Sequence, residues 1–251
     1  MQVGLEVMAT SIDGVRRAVD LGVDRIELCQ DMVAGGTTPS IGLVQTACTL
    51  TAAAGTELMV MIRPRGGHFV YDATEVQVML ADIKAVNSLP VTGVVFGALT
   101  LEGKVDQGVT RQLVAAAAGR TTFHRAVDVS ADVIGAASTA WEIGCDAVLS
   151  SGGKASAAAG AGALHMMRQR SPRPDALIAA GGINPENVTK IVAKTGVRQV
   201  HASARTSANA QVSVSLPLGP TMDWDTGSWP IPSEARVLAL QRELAGLTQA
   251  P

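Results

Sequence analysis

Large aromatic side chains are scarce in this chain: one tyrosine, three phenylalanines and three tryptophans among 251 residues. The core must therefore be aliphatic, and Ala, Val, Leu and Ile supply it within a 47% hydrophobic composition. Charge is sparse too. Charged residues make up 17%, the formal net charge is −2, and no Lys/Arg cluster occurs, which argues against nucleic acid and anionic membrane as main partners. No apolar run reaches about 18 residues, so no transmembrane helix is expected. The opening Met1-Gln2-Val3-Gly4-Leu5-Glu6 has no basic region and no apolar stretch of secretory type. Only Cys29, Cys48 and Cys145 are present, odd in number and far apart, which disfavours a disulfide framework and suits a reducing cytoplasm. Without HExxH, CxxC, a Walker lysine loop or a GxSxG elbow, zinc peptidase, nucleotide hydrolase and serine hydrolase chemistry are disfavoured.

What is present is a repeated alternation. Short strand-like runs occur at 3–8, 25–29, 57–62, 93–96, 121–124, 147–149, 176–180 and 199–202, with helical spacing of apolar residues between them. The first helix is expected to open at Ser11 and stop at Gly22, and the third to bury Val76, Met79, Leu80 and Ile83. The seventh is expected to open at Asn184-Pro185-Glu186, with proline at its first helical position. Eight such units in about 250 residues predict an α/β, single-domain TIM (β/α)8 barrel over residues 1–251. A doubly wound sheet is disfavoured because Ala9-Thr10-Ser11-Ile12-Asp13-Gly14, after the first strand, is not a dinucleotide fingerprint. Residues 206–232 show neither period and hold four of eleven prolines with Trp224 and Trp229, so they read as an irregular loop before the last helix that covers the barrel or meets a second subunit.

Strand alternation sorts the side chains. If Leu5 and Val7 face the helices, Glu6 and Met8 face inward. The same rule points Glu27 and Cys29, Met59, Met61 and Arg63, Thr122 and His124, and Gln199 and His201 into the barrel. Buried carboxylates need partners, so Glu6 and Glu27 are expected to meet Arg63, Arg65, Arg125 or a bound ligand. An ion-pair network that merely fills the barrel would use the same residues. The late strand positions of Glu6, Glu27, Arg63, Arg65 and His124 place them towards the C-terminal mouth, where barrel active sites lie.

The chain resembles the CutC family, known as copper homeostasis proteins. The resemblance is carried by Leu5-Glu6-Val7, Gly22-Val23-Asp24-Arg25-Ile26-Glu27-Leu28-Cys29, Gly35-Gly36-Thr37-Thr38-Pro39-Ser40, Ile62-Arg63-Pro64-Arg65-Gly66-Gly67, Gly93-Val94-Val95-Phe96-Gly97-Ala98-Leu99 and Thr122-Phe123-His124-Arg125-Ala126-Val127-Asp128. Leu149-Ser150-Ser151-Gly152-Gly153, Ala180-Gly181-Gly182-Ile183 and His201-Ala202-Ser203-Ala204 extend it, and it fades after about Thr206. It implies a TIM barrel, a cytoplasmic location, often a homodimer, and a role in copper handling. Copper-associated members place cysteine after the first strand's Glu-Val, where this chain has Met8. His68 stands where aspartate usually follows the Arg-Pro-Arg-Gly-Gly loop.

Cu(I) prefers thiolate and thioether donors, so Met8 and Cys29, inward on neighbouring strands, form a candidate copper pair, although core filling is the commoner role of a buried Cys or Met. Cys48 and Cys145 read as packing. His68, His124 and His201 are within reach of the mouth, and His165 is not. His124 with Glu27 or Asp128 makes an acid–base pair, or a neutral core imidazole. Ser151, Gly181, Gly182, Ser203 and Arg205 follow the sixth to eighth strands and form a candidate anion site of backbone N–H groups. The function expected first is that of a copper-binding or copper-handling protein; the alternative is an isomerase- or lyase-like enzyme acting on a small anionic or phosphorylated metabolite.

Overall fold

Parallel pairing begins where the aliphatic runs begin. The computed structural model describes residues 3–209 and 228–248. The barrel strands are β1 (Gly4–Ala9), β2 (Arg25–Leu28), β3 (Glu57–Met61), β4 (Gly93–Phe96), β5 (Arg120–Phe123), β6 (Ala147–Ser150), β7 (Leu177–Ala179) and β8 (Gln199–Ala202). Between and after them lie α1 (Ile12–Asp20), α2 (Ile41–Ala54), α3 (Ala73–Val86), α4 (Gln107–Ala116), α5 (Val133–Ile143), α6 (Ala161–Arg170), α7 (Val188–Thr195) and α8 (Glu234–Thr248). The strands close in sequence order, β8 pairing in parallel with β1, so the chain folds as a single-domain TIM barrel.

Local chemistry sets the helix ends. Ser11 Oγ accepts the Gly14 N–H at 3.2 Å, and Gly22 turns the chain out of α1 with φ of 65°. Asp72 and Glu75 close a capping box on α3. At Gly93 a Cβ would fall 2.0 Å from the Arg120 carbonyl oxygen, so only glycine lets β4 and β5 approach.

Alternation divides the core in two. Leu5, Val7, Ile26, Leu28, Leu58, Val60, Phe96 and Phe123 face the helices and pack with Val15, Met79, Ile83, Leu113 and Leu164. Inside the barrel two smaller clusters stand apart from that layer. One joins Cys29, Met59, Met61 and Val95, with Met8 and Met32 against it; the other joins Ala147, Leu149, Ile178 and Ala180. The interior is therefore sulfur-rich and charged on the β1–β3 side and small and aliphatic on the β6–β7 side.

Two expectations change. The seventh helix opens at Val188, not at Asn184, because the Asn187 side chain folds back: its Oδ1 accepts the Asn184 N–H and its Nδ2 donates to the Gly182 carbonyl, holding 184–187 as a turn. The ends of the 206–232 segment are not irregular. Strands β9 (Arg205–Asn209) and β10 (Ser228–Pro232) pair antiparallel, Thr206 opposite Ile231, and β10 packs on α1 and β1. Prolines in β10 hid that strand, since they are tolerated only in an edge ribbon. Residues 210–227, including Trp224, lie outside the described residues. No helix among the described residues is long and apolar enough to cross a membrane.

Candidate functional site

A line of charged groups runs along the barrel interior. In register, Glu6 of β1 lies opposite Arg25 on one side and His201 on the other. Arg25 Nε donates to Glu6 Oε2 at 2.5 Å and its Nη1 reaches Glu57 Oε2 at 3.4 Å at the bottom of the barrel. His201 Nδ1 lies 2.7 Å from Glu6 Oε1, and its Nε2 lies 3.8 Å from Glu27 Oε2. Burial alone would raise the Glu6 pKa, but Arg25 and His201 hold it down to about 2. Burial would likewise depress His201, and Glu27 and Glu6 together raise it instead. For Glu27 burial wins, pushing its carboxyl up to about 7 against the pull of His201.

Above this line opens a cavity of about 300 Å³, lined by Met8, Glu27, Met32, Met61, Arg63, Phe69, His124, Arg125, Gly181, Gly182, His201 and Ser203 among others. No hydrogen bond holds the Glu27 carboxyl among the described residues, so it is free to meet a ligand. Arg63 is buried and stitches two loops together: Nη1 donates to the Ala34 and Gly36 carbonyls and Nη2 to that of Gly67. Its Nε has no partner, and no carboxylate pairs with it among the described residues. His124 is buried at the start of a 3-10 helix (Arg125–Val129), where its Nδ1 accepts the Ala126 N–H at 3.2 Å. Burial, then the charge of Arg63, depress its pKa to about 3. Its Nε2 has no partner.

The structure brings Met8, Glu27, Arg63, His124, Gly181, Gly182 and Ser203 to one pocket, and separates other expected members from it. Glu6 sits a layer below, spent on Arg25 and His201. Arg65 turns outward: its guanidinium grips Glu75 and the carbonyls of His68 and Val70 and organises the loop before α3. Asp128 faces the loop after β6, where it accepts from Ser150 Oγ at 2.6 Å, from Ser151 N–H and Oγ, and from the Gly153 N–H. Ser151 is thereby consumed, its one hydroxyl proton lying within reach of both Asp128 Oδ2 and the Lys154 carbonyl. Arg205 begins the outer ribbon and lines a separate small cavity with Met8, Ser203 and Pro230. Cys29 is fully buried behind the pocket wall, and burial, then Glu27, push its thiol above the ordinary range. His68 is exposed and accepts the Val70 N–H, away from the pocket.

Three members escaped the sequence reading. Arg25 shares the inward face with Glu27 by simple alternation, and that signal was sufficient to find it. Met32 and Phe69 lie in loops after β2 and β3, beyond the reach of strand periodicity. His124 fits its place because Gly97 leaves room: a Cβ there would lie 2.5 Å from Nδ1.

A cluster of ligand-type atoms, one each from Glu6, Glu27 and His201, falls within 4.8 Å. Its donors are oxygen and imidazole, and Arg25 already neutralises Glu6, so the set suits a soft Cu(I) ion poorly. Met8, Met32 and Met61 line the pocket, and thioether is a donor type that suits Cu(I) better.

The CutC family model matches residues 3–206. A CutC protein of Bacteroides thetaiotaomicron is 37% identical over 237 residues, 93% of this chain and 94% of the relative. One of Xanthomonas campestris pv. campestris is 41% identical over 215 residues, 85% of this chain and 88% of the relative. The crystal structure of CutC from Streptococcus agalactiae, described as a proposed copper homeostasis protein, matches with a TM-score of 0.76 at 28% identity, covering 80% of this chain and 99% of that one.

Proposed function

The chain belongs to the CutC family, and with that membership and the pocket at its mouth as premises we propose that it transfers protons on a small anionic metabolite, as an isomerase- or lyase-like enzyme. One observation carries this reading. Glu27, a buried carboxyl with no hydrogen bond and the His201 imidazole 3.8 Å away, and Arg63, a buried guanidinium without a carboxylate, line the same cavity of about 300 Å³. A buried cation facing a cavity calls for an anionic guest. A buried carboxyl that no hydrogen bond holds is a general base in the right place. Gly181, Gly182 and Ser203 offer backbone N–H groups on the same wall. The test is a thermal-shift titration with phosphate and with oxalate. Both are expected to raise the melting temperature, and Arg63→Met to remove the effect; no shift with either anion would defeat the reading.

Copper handling is the second reading, favoured by the sulfur wall. The streptococcal relative's description carries copper homeostasis to this chain as a process, and the thioethers of Met8, Met32 and Met61, with Cys29 packed behind Met61, are the donor set that Cu(I) prefers. Three free, buried cysteines agree with a reducing cytoplasm.

A further inference from the structure

We propose that His124 is the electrophile of the mouth: a neutral imidazole whose Nε2–H donates to the carbonyl oxygen of a small anionic carbonyl compound, while Glu27 removes a proton from the adjacent carbon. This rests on the proton-transfer reading above, and adds the substrate class and the atom that each residue addresses.

The tautomer follows from geometry. The Ala126 N–H points at Nδ1 from 3.2 Å, so Nδ1 must present a lone pair, and the ring proton sits on Nε2. That N–H is buried, belongs to a ring that lines the cavity, and donates to nothing. The ring has little freedom to turn and find a partner elsewhere. Phe69 packs on it with centroids 4.9 Å apart, and the backbone at Gly97 closes against its Nδ1 edge. The depressed pKa, from burial and then from Arg63, agrees with a ring that stays neutral. A neutral imidazole held by a backbone N–H is the arrangement that polarises a carbonyl without surrendering its proton.

A second orphan donor completes the picture. Arg63, which lines the same cavity, has a buried Nε without a hydrogen-bond partner, and its guanidinium stacks over Phe69 at 4.9 Å. Two unsatisfied donors, on side chains packed against the same Phe69 ring, ask for acceptor oxygens, one on a carbonyl and one on a carboxylate or phosphate. His201 cannot take the electrophile's part, because its Nδ1 is engaged by Glu6 and its Nε2 faces Glu27. In the step, the Glu27 carboxylate takes the α-proton, the C–H electron pair forms the C=C bond, and the carbonyl π pair moves to oxygen against His124 Nε2–H. Return of the proton from Glu27 to the same carbon of the enolate restores the carbonyl compound and the carboxylate, so the exchange balances with no oxidant.

The experiment combines two readouts. Protein labelled with 15N-histidine is titrated with oxalate, a carboxylate enolate mimic, and with phosphoglycolohydroxamate, a phosphorylated one. His124 is expected to keep a protonated Nε2 and bare Nδ1 from pH 5 to 8, and its Nε2 signal to move with at least one mimic, which also tells carboxylate from phosphate substrates. Deuterium incorporation from D2O into pyruvate and dihydroxyacetone phosphate is followed for the parent, Glu27→Gln and His124→Gln. Loss in both variants, at least a hundredfold for His124→Gln with mimic affinity lowered far less, supports the assignment. Loss in Glu27→Gln with none in His124→Gln overturns the role of His124 alone. Dependence on His124 without dependence on Glu27 overturns the proton-transfer reading instead. No exchange in the parent and no movement of the His124 signal overturns both, and an imidazole that titrates between pH 5 and 8 overturns the neutral electrophile by itself.

Discussion

His201 Nδ1 and Glu6 Oε1 meet at 2.7 Å across the seam where the last barrel strand closes on the first, 195 residues apart in sequence. The same carboxylate takes Arg25, so one anion serves a buried guanidinium and an imidazole whose pKa it helps to raise. Glu6→Gln keeps the shape and removes the charge. Breaking a buried pair from one side typically costs about 3–5 kcal/mol, because the remaining charge is stranded. Urea unfolding at pH 7 is expected to show a loss of that order. A loss under about 1 kcal/mol would mean that Arg25 and His201 find other partners.

Two groups at the mouth bend the stability curve in opposite directions. His124 has its folded pKa held down to about 3, so the unfolded chain binds a proton that the folded chain refuses. Its contribution is intact above about 6.5, the unperturbed histidine value, and is lost as pH falls from there towards 3. Glu27 is raised to about 7, so the folded chain holds a proton between 4.5 and 7 that the unfolded chain has released, and stability falls as pH rises through that window. Melting temperatures measured from pH 5 to 8 are expected to show Glu27→Gln gaining on the parent as pH rises. His124→Gln is expected to gain on it as pH falls. Parallel curves for all three proteins would contradict both shifts.

Asp128 is expected to matter for folding more than for proton transfer. Its carboxylate accepts from Ser150, Ser151 and Gly153 and takes Arg125 Nε at 2.7 Å, which fixes the turn after β6. Asp128→Ala leaves several donors without an acceptor, at about 1–3 kcal/mol for each that water cannot reach. Equilibrium unfolding is expected to show a loss above about 3 kcal/mol, while Asp128→Asn, which keeps an acceptor oxygen, loses less. Equal stability of Asp128→Asn and Asp128→Ala would remove the hydrogen-bonding account.

The barrel and its inward faces were legible in the sequence because period-two alternation fixes which side of a strand a residue takes. Glu27, Met8 and His124 were placed by that rule. Arg65 and Asp128 were misread for a common reason. Both lie just past a strand end, where the chain turns, alternation stops, and local hydrogen bonds decide the direction of a side chain. Arg65 found Glu75 on the next helix, and Asp128 found the backbone of the neighbouring loop. Glu6 shows a different limit: the rule gives the face of a strand but not the depth, and only the β1–β8 register sets it opposite His201. The β9–β10 ribbon was hidden because its pairing joins segments on either side of residues 210–227, and short edge strands with proline carry almost no periodic signal.

The copper reading is tested on sulfur. Burial keeps the Cys29 thiol protonated, and the sulfurs facing the cavity are the thioethers of Met8, Met32 and Met61. Thioethers bind Cu(I) without giving up a proton, but they bring no charge. Replacing all three by leucine is therefore expected to abolish specific Cu(I) uptake, with the fold kept because volume is nearly conserved. Met8→Cys sets an accessible anionic sulfur on the wall and is expected to tighten binding. Cys29→Ala is expected to weaken it far less than the triple leucine change, since that thiol is buried behind the wall and held protonated. Cys48→Ala is expected to change nothing, since Cys48 packs on α2 in the outer core. Competition with a Cu(I) chelator at neutral pH under reducing conditions reads all of these. Equal affinity for the parent, the triple leucine variant and Met8→Cys would move copper away from this pocket and leave it to the anionic metabolite.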